Sequence, residues 1–194
     1  MKKILITGVI LLVVLLSCSN KGTYISVEQI ESKYSITVGG DTNKNKIYQI
    51  RIPLVYKIKK NVFEDILFDV ESDYMYHGQY DRNRGRSRGI APDQPKDQKP
   101  IEDYKTLKRS FKEYVFWVNC APDTSAQARS LMQPYLYRIR KEGKNPIQIG
   151  TIQQVKETDP EFIKAFLGND SIDIAFVTDK KRRIRHIILP VEIK

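Results

Sequence analysis

The chain has 194 residues, with 33 Lys or Arg against 23 Asp or Glu and a formal net charge of +10, and 41% of it is hydrophobic with 10% aromatic. That is enough apolar material to bury a core, which excludes a disordered tail, and the length is that of one large domain or two small ones. Two cysteines and two histidines exclude a disulfide-stapled scaffold and leave no Cys/His spacing for a metal site or a metal cofactor.

Met1, Lys2 and Lys3 give a short positive start, Ile4 to Leu16 form an apolar run broken only by Thr7 and Gly8, and Ser17 is a small residue before Cys18. This is signal-peptide anatomy. A bilayer-spanning helix needs about twenty apolar residues, and Ser19-Asn20-Lys21-Gly22-Thr23 ends the run in polar sequence. The segment is therefore read as cleaved rather than as a permanent span. Leu15-Leu16-Ser17-Cys18 resembles the lipobox of bacterial lipoprotein precursors: a Leu three residues before the cysteine, a small residue directly before it, and the cysteine itself. The resemblance implies a thioether to diacylglycerol on the Cys18 sulfur, removal of residues 1–17 and acylation of the freed amine. It implies a protein of the bacterial cell envelope, lipid-anchored at the outer membrane and facing the periplasm. Such a basic chain meets little nucleic acid. Its expected partners, beyond the membrane itself, are other envelope proteins or anionic envelope polymers. With Cys18 lipidated, Cys120 has no intrachain disulfide partner.

A short strand is expected at Tyr34 to Val38, followed by a turn at Asn43-Lys44-Asn45. Lys46 to Ile58 then alternates with period two, Tyr48, Ile50, Ile52, Leu54, Tyr56 and Ile58 on the buried face and Gln49, Arg51 and Lys57 on the other. Pro53 cannot donate to a ladder, which points to an edge or a bulge there. Ile66 to Tyr76 alternates again, and its row of Asp69, Glu71 and Asp73 is expected to face water or to meet Arg51 and Lys57 across the sheet. Residues 18–77 thus read as an antiparallel meander. Residues 78–100, GQYDRNRGRSRGIAPDQPKDQKP, hold three glycines, three prolines and almost no aliphatic side chain, so they read as a loop or linker. Its Arg82, Arg84, Arg86 and Arg88 suit phosphates or carboxylates.

Residues 101–194 change character. Glu113 to Cys120 is apolar on both faces except Asn119, as in a covered central strand. Thr124 and Gln127 have capping-box spacing, and a stripe of Ala128, Leu131, Met132, Tyr135, Leu136 and Ile139 runs to a stop at Gly143, with Pro134 expected to kink the helix. Ile147 to Val155 reads as a strand. Asp159-Pro160 opens a second helix that closes at Gly168, and Ile172 to Thr178 and Ile184 to Ile193 form a hairpin. The fold class is α+β: an antiparallel β meander followed by a βαβαββ half, a mixed sheet with two helices.

FWVNCAPD, with a cysteine after a strand and a proline two residues on, resembles the redox motif of thioredoxin-like proteins, carried here by Cys120 and Pro122 alone. Asp123 stands where a resolving cysteine would be. The resemblance implies an alternative function, a redox or degenerate thiol protein using Cys120. His77 and His186 have no metal-ligand spacing around them. Lys180, Lys181, Arg182 and Arg183 crowd the hairpin tip and join the loop arginines as candidate anion- or partner-binding residues. The absence of a phosphate loop, a nucleophile elbow or paired catalytic carboxylates favours binding over catalysis.

Overall fold

In the computed structural model the described residues are 24–63, 65–69, 71–76, 79–80, 86–90, 104–120, 122, 125–178 and 183–193. Strand β3, Lys46–Lys60, organises them. On one side it pairs with β2, Ile36–Asp41, through residues up to Arg51, and with β1, Ile25–Ile30, from Val55 onward. On the other side β9, Lys112–Cys120, runs antiparallel from Ile50↔Cys120 to Ile58↔Lys112. Pro53 is thus in a central strand, not at an edge. It is tolerated because it falls in the gap between β2 and β1, where no ladder asks for its missing N–H.

A bulge adjusts the alternation. Gly39 faces Gln49 and Gly40 faces Ile47, so Tyr48 is the unopposed residue. The pleat slips by one, Ile47 becomes buried, and Tyr48 is exposed rather than on the core face. Gly40 lies so close to its neighbours that a Cβ would sit 2.8 Å from Ile47 Cδ1 and 3.0 Å from Leu136 Cδ2. Asn145 reads the same glycine from the side: Gly40 N–H donates to its Oδ1 at 3.1 Å, and its Nδ2 donates to the Gly40 carbonyl at 2.6 Å.

At its far end the sheet turns a corner. β3 leads into β4, Ile66–Asp69, and β5, Glu71–Tyr76, while β8, Tyr104–Thr106, leads into β9. Lys60 N–H bonds the Lys108 carbonyl and Leu107 N–H the Ile66 carbonyl, both at 2.8 Å, carrying the pairing around the bend. The expected strand from Ile66 to Tyr76 is these two pieces, β4 and β5. Both pair with β11, Ser171–Thr178, which in turn pairs along its whole length with β12, Arg183–Pro190.

Within 78–100, expected to be loop, residues Gln79–Tyr80 form β6 and Arg86–Ile90 form β7. β7 lies between β5 and β9, where backbone bonding needs no apolar side chain. Its register sets Arg88 opposite Glu71 and Arg86 opposite Asp73. The acidic positions of β5 therefore stand opposite these arginines in register rather than opposite Arg51 and Lys57, and Asp73 is exposed, as expected of a row facing water.

Helix α1, Ala126–Glu142, is capped by Ser125, whose hydroxyl accepts from Ala128 N–H at 3.2 Å, and ends on a left-handed Gly143. It runs unbroken through Pro134, which lies on its exposed side. β10, Ile147–Gly150, is shorter than expected and pairs with β2. Gly150 at φ +119° ends it, and Thr151 with Gln154 forms a capping box that starts α2, Ile152–Thr158, where a continuing strand was expected. α3, Pro160–Leu167, follows, with Asp159 as its N-cap and Pro160 at its first turn.

The molecule is α+β, as its sequence pattern indicates, with three helices rather than two. Each ladder among the described residues is antiparallel, where a mixed sheet was expected, because β10 pairs with β2 instead of lying parallel to β9. Buried residues from Ile25 to Val191, including Tyr56, Phe116, Met132, Phe162 and Phe176, form one cluster that draws on both halves of the chain.

Candidate functional site

The outward face of β3 and β9 carries the most developed polar-aromatic arrangement. Along β9, Phe116, Val118 and Cys120 point into the main core, and by the two-residue period Trp117 and Asn119 lie on the opposite face, half-buried next to the buried Val115 and Pro53. Trp117 is the chain's only tryptophan. Register sets it opposite Pro53, and Arg51 opposite Asn119, which makes Arg51 and Trp117 diagonal neighbours. The Arg51 guanidinium lies 5.0 Å from the centre of the indole. Tyr34 meets the same indole edge-on at 6.2 Å, and the Lys33 ammonium lies 5.8 Å from the Tyr34 ring. Gln49 Nε2 donates to Asn119 Oδ1 at 3.4 Å beside them. From the other side, β7 sets Arg88 opposite Trp117.

A guanidinium stacked on an indole keeps its N–H edges free for a planar anion, while the ring restricts its rotamers. Two half-buried rings with cations above and beside them offer flat apolar surface and bidentate donors together. That combination fits a carboxylate or phosphate carried on an extended partner.

Of the residues singled out from the sequence, Cys18, His77, Arg82, Arg84, Lys180, Lys181 and Arg182 lie outside the described residues. In register, Arg88 stands opposite Trp117, Arg86 opposite Asp73, and Arg183 opposite Thr178 at the start of β12. Among the described residues, no ladder pairs Arg86 or Arg88 with Arg183.

Cys120 is the last residue of β9 and only 2% exposed, packed in the common cluster near Tyr74. Its helix does not begin at once: the cap is Ser125.

Two carboxylates escaped the sequence reading. Asp173, 5% exposed, meets His186 Nδ1 at 3.0 and 3.1 Å through its two oxygens, a diagonal pair across the β11–β12 hairpin. It fixes the imidazole's orientation. Tyr74 Oη donates to Asp170 Oδ2 at 2.5 Å, and burial first, then the Asp170 charge, pushes the Tyr74 phenol far up. Asp170 lines an open cleft of about 570 Å³ with Leu167, Asn169, Ser171, Ile188 and Pro190. Both pairs join residues far apart in sequence, and only the hairpin register, with Asp173 two positions from the residue opposite His186, could have signalled the first. Among the described residues no group of three or more His, Cys, Asp or Glu is set to hold a metal ion, and no helix is long and apolar enough to cross a membrane.

These features define an α+β protein on an antiparallel sheet with a cationic, aromatic outer face. No protein-family profile matches the chain and no curated protein is significantly similar to it.

Proposed function

We propose that the protein is a non-catalytic, lipid-anchored envelope lipoprotein that binds an anionic partner, an envelope protein or an envelope polymer, through the face centred on Trp117. The carrying observation is the Arg51 guanidinium held 5.0 Å over that indole, with the Tyr34 ring edge-on to the indole and the Lys33 ammonium over the Tyr34 ring. The lipobox-like Leu15 to Cys18 supports the anchor, and the net charge of +10 supports an acidic counterpart.

Because Trp117 is the only tryptophan, its fluorescence reports directly on this face. Titration with an acidic polysaccharide or a polyglutamate peptide should change the emission in a salt-dependent way. Arg51→Gln should weaken binding about five- to tenfold without changing the melting temperature by more than a degree or two. Emission that stays constant in every anionic titration would remove the binding reading. For the anchor, fatty-acid labelling that is lost in Cys18→Ala is the expected result, and label that survives the substitution would refute it.

A further inference from the structure

The corner where β3 turns into β4 carries a second aromatic-cationic surface, and it lies where the chain enters the fold. Asn61 N–H bonds the Tyr24 carbonyl at 2.8 Å and Asn61 Nδ2 bonds Ser26 Oγ at 2.9 Å, so the first described residues are tied to the corner itself. Phe63 is 83% exposed, the highest value among the exposed large hydrophobic residues described, and Phe111 and Tyr24 are each 44% exposed. The Arg109 guanidinium lies 3.9 Å from the Phe63 ring centre, and the Lys59 ammonium 4.5 Å from that of Phe111. Lys108 is exposed beside them. The acid described at this corner, Asp65, is occupied by Lys60 at 2.8 Å.

Aromatic rings in water with long cationic side chains lying over them suit the boundary between head groups and acyl chains, where rings sink and cations stay with phosphate. We propose that this corner is the surface the protein lays on an anionic phospholipid bilayer, with Phe63, Phe111 and Tyr24 entering the head-group region and Lys59, Lys108 and Arg109 meeting lipid phosphates. The inference rests on the reading of Cys18 as the lipidated residue. Cys18 is six residues before Tyr24, and six residues reach at most about 20 Å. The anchor therefore holds this corner, and not the α1 face, against the membrane. A protein partner would leave that coincidence of entry point, rings and cations without a reason.

The test uses the full chain reconstituted in phosphatidylglycerol-containing vesicles and, separately, in pure phosphatidylcholine, both with lipids brominated near the head group. With Trp117→Phe as background, Phe63→Trp and Phe111→Trp report from the corner and Tyr137→Trp, exposed on α1, from elsewhere. We expect blue-shifted emission and at least twofold quenching at 63 and at 111 in the anionic vesicles, with none at 137. Lys59→Gln and Arg109→Gln should each weaken that anionic preference about fivefold, the equivalent of about 1 kcal/mol per cation near the surface. Quenching at 63 and 111 no greater than at 137 would overturn the proposal. Absence of fatty-acid label on Cys18 would instead overturn the lipoprotein reading, and the quenching pattern of the same chain mixed with vesicles would still decide the corner.

Discussion

Gly40→Ala probes the seam between α1 and the sheet. A Cβ on residue 40 would lie 2.8 Å from Ile47 Cδ1, 3.0 Å from Leu136 Cδ2 and 3.2 Å from Ile139 Cδ1, all three belonging to buried side chains. Carbon atoms settle at about 3.5–4.0 Å, so every one of these methyls must retreat into occupied space. Overpacking of this kind costs about 1–3 kcal/mol. Against it stands a gain of about 0.4–1 kcal/mol from restricting the unfolded chain, available because Gly40 does not have a positive φ. The net loss is about 0–2.6 kcal/mol, centred on about 1.3 kcal/mol, and for a chain of this size the central value lowers Tm by roughly 3–5 °C. Gly39→Ala is the internal control. Its Cβ would touch the Tyr48 ring at 3.3 Å, but Tyr48 is exposed and can swing outward, so this variant should be neutral or slightly stabilising. Denaturant unfolding of both variants measures the difference. Adding Ile47→Val removes the nearest methyl, and the double variant should lose less than the sum of the two single changes. An alanine at 40 as stable as one at 39 would refute the packing described here.

Asn145→Ala removes two hydrogen bonds to the Gly40 backbone and should cost about 2 kcal/mol in urea unfolding, at about 1 kcal/mol for each bond. Tyr56, Tyr74 and Tyr135 all have phenols pushed up by burial first, so folding favours their protonated forms. That stability is complete below the unfolded value near 10 and is lost as pH rises past it; tyrosinate absorbance from these three should appear only together with loss of near-UV circular dichroism. Cys120 should react with a bulky maleimide only as fast as the protein opens, with a rate that climbs with added urea; rapid native labelling would contradict its burial.

The elements that were readable from sequence are those in which one physical signal dominates. β3 showed itself through alternation, β9 through apolar residues on both faces, and the ends of α1 and α3 through Gly143 and Asp159-Pro160. α2 was hidden because Ile147, Ile149, Gln153 and Val155 continue a two-residue alternation. The outcome was decided instead by the reciprocal bonds of Thr151 and Gln154 and by the backbone of Gly150. β7 was hidden for the opposite reason: RSRGI has almost no apolar pattern, and what holds it is a slot between two strands with acidic residues in register. The Trp117 face was legible only in part. The alternation of β3 puts Arg51 on the outer side of its strand, but its stacking on Trp117 depends on a β3–β9 register that no local pattern reveals.

That register also bears on how the chain reaches this state. Gln49 and Asn119, bonded across it, are 70 residues apart, whereas β1 and β2 lie nearer to β3 in sequence. As synthesis proceeds from the N-terminus, one flank of β3 can close early. The other presents an open row of backbone groups until β9 has been made. Closing so long a loop is slow, and an open strand edge recruits other chains while it waits. Folding speed is thus limited by late encounters of this kind, β9 with β3, β10 with β2 and β11 with β4 and β5, and the yield of refolding should rise on dilution as neighbouring molecules stop competing with β9 for the open edge of β3.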